Sequence, residues 1–596
     1  MISRKSFSPF VFAVVMGALV FPGLPRQFSF PSAAYGHSGN SITNNDPPDP
    51  CEQSLTPPGN ANGLHKRCEA MGIGGGAAKG DFNGDGFADL AVGVPYEDQN
   101  GIGSVGGVNI IYGSANGLSS TADQFIDETD FSQSYNTGDH FGWALAAGDF
   151  NGDGFSDLAI GMPDRDSLTG ANAGRVFVVS GSSSGLRVDL IDPNAFPNNT
   201  SFGGRFGAAL VWADFNGDGV ADLAIGSPNA SVKGEGILCS HIAFDVANAG
   251  KITILYGSTT GLSEFGEQVF HQGGCGVAPF NDASAVGDSL GDGDQFGSSL
   301  AAGDFDNDSF ADLVVGVPFE NLGLVGDKQD AGLIHVLRGT RSGLSNFPQI
   351  SFGPGIAGAA EAGDEFGRTL ATGDFDGDGN DDIAVAEPFE DLSSNTKADA
   401  GAVIVLFGTG GFDLVTASNN LFISQASLPG ENIEAGDRFG WALAVGDFDR
   451  DGKDDLAIGS PGEDVSSNTI KDAGLVSVLY GSPSGPSFTR VQEWIQNSTG
   501  LVHLDPSETG DQFGYALSAW DYDGNGRSDL AIGVPFEDVV SSSTGVVQID
   551  AGAVNLIYGG TGGLNVTGRA PQFWTQDSPG INDTAQPGDR FGSALY

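Results

Sequence analysis

The stretch GDFNGDGFADLAVGVP, Gly80 to Pro95, returns in six further near-copies along the chain. Its first aspartate recurs as Asp81, Asp149, Asp214, Asp304, Asp374, Asp447 and Asp521, at intervals of 68, 65, 90, 70, 73 and 74 residues. So regular a period restricts the fold to an array of like units, each covering its apolar face with its neighbour. One unit, Phe141 to Ile191, reads as four strands. FGWALAAGDF alternates small and large residues, NGDGFSD turns, and LAIGMP is an apolar strand closed by Pro163. AGRVFVVSG, from Ala173 to Gly181, is a third strand, and a weak fourth falls near Val188 to Ile191. Short strands, glycine-rich turns and no 3.6-residue period predict an all-β chain. Four strands per unit is the pattern of a propeller blade, so the expectation is a seven-bladed β-propeller of four-stranded blades. A solenoid is the alternative, but these units are long for single coils.

The turn between the first two strands of each unit carries oxygen side chains at positions 1, 3, 5 and 9. The first-position aspartates are named above. Position 3 is Asn83, Asn151, Asn216, Asp306, Asp376, Asp449 or Asp523, and position 5 is Asp85, Asp153, Asp218, Asp308, Asp378, Asp451 or Asn525. Position 9 is Asp89, Asp157, Asp222, Asp312, Asp382, Asp455 or Asp529. Alternating hard oxygens around a glycine turn suit Ca2+, and the absence of cysteine and histidine disfavours zinc or copper. An EF-hand needs a bidentate glutamate at position 12, where this chain has Val92, Ile160, Ile225, Val315, Val385, Ile458 and Ile532. The loops are therefore β-hairpins, with a backbone carbonyl expected at position 7 from Phe87, Phe155, Val220, Phe310, Asn380, Lys453 and Arg527. About seven Ca2+ ions, one per blade, is the expectation. In the fourth loop Ser309 replaces the turn glycine, so that loop should be strained.

Charge and composition narrow the partners. Lysine plus arginine number 25 against 76 acids, a net −51, which leaves no basic surface for nucleic acid. Yet 39% of residues are hydrophobic and 41 are phenylalanine, so the chain has the material for a packed core rather than a disordered one. Residues 1–34 read as an export signal. Arg4 and Lys5 precede an apolar run from Phe10 to Phe21, and PSAA ends in small residues. That run is too short for a membrane helix, and no later stretch is long and apolar enough for one. The reading is a secreted or cell-surface protein with no membrane span: a linker at 35–67, the propeller at 68–576 and a partial eighth repeat at 577–596.

That partial repeat, GDRFGSALY from Gly588, stops before any metal loop. The first repeat has Ile73-Gly74 where the others have Phe-Gly, so its first strand is poor. Phe591 to Tyr596 is therefore expected to close the ring beside or instead of that strand, removing an exposed edge. Cys51, Cys68, Cys239 and Cys275 allow three pairings, and nearness in sequence favours 51 with 68 and 239 with 275.

FGWALAAGDFNGDGFSDLAIGMP resembles the FG-GAP repeat, the blade unit of integrin α-subunit heads and related secreted propellers. The resemblance implies a seven-bladed propeller with calcium in the hairpin between each blade's first two strands. It also implies that the opposite face meets partner and ligand, so the function expected is a non-catalytic protein-interaction or cell and matrix adhesion module.

Phe-Gly pairs and the PFED…DAG pattern (Phe389, Glu390, Asp391 with Asp399; Phe536, Glu537, Asp538 with Asp550) recur, so they read as scaffold. The third unit is instead enlarged at Lys233–Asn248 and Gly273–Asp294, on the face opposite the hairpins. Cys239, His241, Phe244, Cys275, Phe280 and Asp282 form the expected recognition patch for a protein or glycan ligand at the cell surface or matrix. Alternatives are a carbohydrate-binding propeller and the accessory propeller of a secreted hydrolase. Some lipid-anchor phospholipases resemble this propeller too, but the segment before Cys68 is too short for their histidine-rich zinc domain. GSSSG (Gly181–Gly185) matches a hydrolase elbow yet aligns with turns in sister repeats, and no helix follows GIGSVG (Gly101–Gly106). No enzyme is expected.

Overall fold

The structure is a computed structural model that describes residues 80–131, 133–167, 171–187, 196–197, 203–235, 243–273, 285–286, 291–322, 328–356, 360–392, 396–411, 415–429, 433–501, 506–541 and 545–596. The export signal, the linker, all four cysteines, Ile73-Gly74 and Val188 to Ile191 lie outside those residues. Every described residue belongs to the unit Pro57–Tyr596.

Seven sheets, antiparallel in their four common strands, follow one another as the blades of a β-propeller. Blade five is typical: Thr369–Gly373, Asp382–Glu387, Ala402–Gly408 and Val415–Ile423 pair in chain order, Thr369 opposite Ala386 and Gly373 opposite Asp382. The second strand of every blade is buried along its whole length, its middle formed by apolar and small residues. Blade two takes its outer strand from Phe196–Pro197, beside Arg175 and Val176. Blade three is larger. A hairpin of Val232–Glu235 with Ala243–Val246 joins its second and third strands, and Ala285–Val286 adds a parallel fifth strand.

Blade one is assembled from both ends of the described chain. Leu90–Val94, Gly107–Tyr112 and Ser119–Ile126 are completed on the inner side by Ala594–Leu595. Val92 faces Leu595, and Ala91 and Tyr596 exchange two backbone hydrogen bonds of 3.0 Å. The Tyr596 hydroxyl accepts from the Trp212 indole and donates to the Ala147 carbonyl at 2.7 Å. Pairing here covers the edge that Leu90–Val94 would otherwise present.

The seven phenylalanines that open the blades fill the junctions between them. Phe141, Phe206, Phe296, Phe366, Phe439, Phe513 and Phe591 are all buried. Phe366, for example, packs with Ile334 and Val336 of blade four and Ile383 and Ile404 of blade five. The glycine after it must be glycine: Gly367 has φ +85, and a Cβ would lie 2.7 Å from the Ile334 side chain.

Hydrogen bonds clasp the junctions at both ends of the blades. On the hairpin side, the hydroxyls of Tyr112, Tyr256 and Tyr480 accept the next blade's Leu186, Leu344 and Leu564 N–H groups at 3.2, 3.1 and 2.8 Å. On the other side, a glutamine ending one blade donates to a buried glutamate of the next. The pairs are Gln272–Glu320, Gln425–Glu463, Gln496–Glu537 and Gln576–Glu97, at 2.7, 2.6, 2.5 and 2.6 Å. Between blades one and two the charges are exchanged: Arg165 donates to Glu128 at 2.6 Å and also pairs with Asp139.

Candidate functional site

Each hairpin folds around its own first aspartate. The Asp81 carboxylate accepts the N–H groups of Gly84 and Gly86 at 2.6 and 2.8 Å, and Asp214, Asp374 and Asp521 do the same for their own turns. The ninth aspartate does a different job. Asp89 accepts from Phe82 N–H within the turn and from Gly113 N–H at the end of the third strand, both at 2.8 Å. Asp157, Asp222, Asp312, Asp382, Asp455 and Asp529 repeat this tie, so the position is structural as well as a potential ligand. All seven are at most 1% exposed.

Three hairpins bring positions 1, 3 and 9 together. Asp374, Asp376 and Asp382 place one oxygen each within 4.8 Å of one another, as do Asp447, Asp449 and Asp455, and Asp521, Asp523 and Asp529. In the fourth hairpin the trio is Asp304, Asp306 and Asp308. The first three hairpins have asparagine at position 3, an oxygen donor of lower charge. In the seventh, Oδ1 of Asn525 is buried without a hydrogen-bond partner. An all-oxygen donor set with an orphaned buried acceptor fits a hard cation.

Electrostatics agree. Burial pushes Asp157, Asp222 and Asp312 up to about 7 and Asp382 and Asp455 to about 8, with neighbouring carboxylates adding to the shift and backbone N–H donors opposing it. Asp89 and Asp529 rise well above the usual carboxylate range, again mainly through burial. The fourth hairpin differs at its turn, where Ser309 has φ 74 in place of glycine. Its Arg338 pairs with both Asp306 and Asp308, as Arg490 pairs with Asp449 and Arg569 with Asp523 in the sixth and seventh hairpins.

The opposite side of the propeller carries features the sequence reading missed. Three positions per blade meet there: the residue before Phe-Gly, the residue after it, and the residue two places before the PFED-type aspartate. Arg368 lies 5.9, 6.0 and 5.7 Å from the rings of Phe319, Phe389 and Trp441, so it spans blades four to six. Trp441 meets Tyr515 at 5.6 Å and Tyr515 meets Phe536 at 5.9 Å. Arg590 stands 4.8 Å from Phe536 and 4.4 Å from Tyr96. Tyr96 meets His140 at 5.1 Å, His140 meets Trp143 at 5.8 Å, and Arg205 lies 4.9 Å from Trp143. Asp164 braces this end, 2.8 Å from His140 Nδ1 and 2.9 Å from Arg205 Nε.

These residues form one arc of half-buried aromatic rings and arginines through all seven blades. It is broken between blades three and four, where the same positions hold Ala208, Asn229, Gln295 and Ser298. Its residues are scattered singly in sequence; only stacking the seven repeats column by column picks them out.

Of the expected recognition patch, Cys239, His241, Cys275, Phe280 and Asp282 lie outside the described residues. Phe244 falls in the blade-three hairpin opposite Gly234. GSSSG is a turn in which the Ser182 hydroxyl donates to the Gly185 carbonyl at 2.7 Å, and GIGSVG is likewise turn and bridge. In the PFED…DAG pattern, Asp399 and Asp550 hold left-handed backbone and donate their N–H groups to Asp391 and Asp538 at 3.0 Å, which is loop architecture. No described helix is long and apolar enough to cross a membrane.

Comparison with known proteins gives the same repeat. The FG-GAP repeat model matches residues 74–110, 141–179, 206–255, 296–337, 366–406, 439–479 and 513–550. Integrin alpha-PS2 of Drosophila melanogaster is 31% identical over 256 residues, 42% of this chain and 16% of that protein. Human phosphatidylinositol-glycan-specific phospholipase D is 34% identical over 182 residues, covering 30% of this chain and 18% of the enzyme. The rat enzyme is 25% identical over 483 residues, 76% of this chain and half of that one. The chain thus spans half or less of these relatives' own lengths. A rhamnogalacturonan lyase, YesW, superposes with a TM-score of 0.32 at 15% identity, over 76% of this chain and 67% of its own, too loosely to inform function. One matched segment falls in each of the seven blades, covering its metal-loop hairpin, and the chain is an FG-GAP repeat β-propeller protein.

Proposed function

We propose that this propeller is an extracytoplasmic, calcium-stabilised binding module of the adhesion type, which docks a protein ligand on the side opposite its hairpins. The observation that carries the reading is the arc of tryptophan, tyrosine, phenylalanine and arginine. Trp, Tyr and Arg dominate binding hot spots: the rings bury much area with few rotors to freeze, and the guanidinium pairs with either charge or ring. The packing of the blades does not require such residues at every position, since Ala208 and Asn229 stand there in blade three and Gln295 and Ser298 in blade four. Ca2+ held by positions 1, 3, 5, 7 and 9 of the hairpins would neutralise buried carboxylates and keep the blades rigid beneath that surface. Similarity to an integrin α chain supports an adhesion role, and the signal-like residues 1–34 support export.

A second reading draws on the rat phospholipase D, whose likeness runs through most of the blades: the propeller would then serve as the accessory domain of a hydrolase. One experiment separates ligand classes and tests the arc. Wild type, Trp441→Ala and Tyr515→Ala are compared in pull-downs from cell-surface extracts and on a glycan array. The expected result is a protein ligand retained by wild type and weakened by about 2 kcal/mol or more in either variant, with unchanged melting temperatures. Equal retention by all three would remove the arc from the reading, and glycan-only binding would replace protein with carbohydrate.

A further inference from the structure

We propose that blade five carries a further divalent-cation site, formed by Asp364, Glu387 and Glu390 on the side of the propeller opposite the hairpins. One oxygen of each carboxylate lies within 4.8 Å of the others. Glu387 is the last residue of the second strand, Asp382–Glu387. The other six blades fill that position with Val94, Met162, Ser227, Val317, Ser460 and Val534, every one fully buried. Packing there calls for an apolar or small side chain, and blade five instead buries a carboxylate that is 2% exposed. Its Oε2 has no hydrogen-bond partner. An ionised carboxylate in that state is costly unless a positive charge meets it.

The junction before blade five also lacks the device used elsewhere. At four junctions a glutamine, two residues beyond the last core residue of the outer strand, donates to the glutamate of the next blade. Trp574, opposite Val554, leads to Gln576 in this way. Phe352, opposite Ile334, is its counterpart in blade four, and the residue two places on is Pro354, which has no amide to offer. Glu390 is therefore left without its usual donor, next to the extra carboxylate. Lys328, whose charge acts on Asp364, donates its ammonium to the Ala360 carbonyl, and no described arginine or lysine forms an ion pair with any of the three acids. Asp364 is held in place by the Glu361 N–H at 2.6 Å.

Two changes peculiar to one junction thus act together: a donor is removed and a buried carboxylate is added. Burial, reinforced by the neighbouring acids, raises Glu387 well above the carboxylate range and Glu390 to about 8, while burial raises Asp364 to about 6. Three hard oxygens without nitrogen or sulfur select a cation of the Ca2+, Mg2+ or Mn2+ class. The competing state is a set of neutral acids sharing protons.

The test uses Mn2+ as an anomalous scatterer in crystals of the full chain, wild type and Glu387→Val. Valine is the residue of three other blades at this position, so the variant should fold. An anomalous peak among the three carboxylates in wild type, lost in Glu387→Val, is expected. Equilibrium dialysis should then show one Mn2+ fewer per chain for the variant. A wild-type map without a peak at the cluster overturns the proposal, whether or not the hairpins are occupied, and so does a peak or ion count that survives the substitution. Hairpin peaks, read in the same maps, judge the calcium reading separately.

Discussion

The two sides of this propeller obey opposite rules. On the hairpin side, all seven blades carry an aspartate at positions 1 and 9, and the ninth always accepts from the third strand. On the other side, the residue before Phe-Gly is His140, Arg205, Gln295, Glu365, Arg438, Gln512 or Arg590, so its chemistry changes at every blade. Its backbone does not. All seven hold left-handed φ between 53 and 59, a conformation that favours glycine, yet none is glycine. A β-carbon kept against backbone preference in every blade marks a position where the side chain matters. Uniform chemistry therefore marks the scaffold, and varied chemistry on uniform backbone marks the surface available for recognition.

Removing divalent cations should break that contrast most strongly. A ligand at 100 times its Kd stabilises the folded state by about 2.7 kcal/mol per site, so several hairpins together rival the roughly 5–15 kcal/mol stability of a whole domain. A large fall in melting temperature in excess chelator is expected by calorimetry. The chelated protein should also lose stability as pH rises. The ninth aspartates have folded pKa values of about 7–8 where resolved, above the ordinary 3.8, so the folded state binds more protons than the unfolded one across that interval. Stability is then highest below about pH 4 on this account and declines until about pH 8, whereas Ca2+ should flatten or reverse the slope. An unchanged melting curve in chelator would remove cations from the scaffold.

Much of the hairpin side was legible because it repeats within short windows: the nine-residue frame, the Phe-Gly pair and the apolar second strand all lie inside one unit. The terminal FGSALY was legible for the same reason, as a seventh copy of a strand signal. The opposite side was not, because its contacts join one residue from each of several blades. Gln576 reaches Glu97 across 479 residues, and no periodicity inside a repeat announces that pair. The described outer strand of blade two, Phe196–Pro197, was not legible for a related reason: an edge strand of two residues is held by pairing rather than by its own pattern.

The exchanged junction offers the next sharpest test. Arg165→Gln leaves Glu128 and Asp139, both almost fully buried, without their ion-pair partner and with only Arg175 acting on them through space, and breaking such a pair costs about 3–5 kcal/mol. The double variant Glu128→Gln, Arg165→Glu rebuilds the amide–carboxylate pair of four other junctions and should recover most of that loss in denaturant unfolding. If the double variant is no more stable than the single one, the junctions are not equivalent frames and the column-by-column comparison fails on this side.

The smallest effect tests the backbone argument itself. Gln295 lies in the gap of the arc with φ 59, and its N–H donates to the Asn248 carbonyl at 3.0 Å. Glycine keeps that bond and removes the cost of a left-handed β-carbon, about 1–2 kcal/mol, against an entropy penalty of about 0.5–1 kcal/mol for the unfolded chain. Gln295→Gly should therefore be neutral or stabilising by about 1 kcal/mol. Arg590→Gly gains the same relief but gives up the stacking of its guanidinium on Tyr96 and Phe536, worth about 0.5–1 kcal/mol for each ring where partly exposed. It should be the less stable of the pair by about 1–2 kcal/mol. Equal effects of the two substitutions would mean that the left-handed position is scaffold alone, and that the arc stands on it without contributing to its stability.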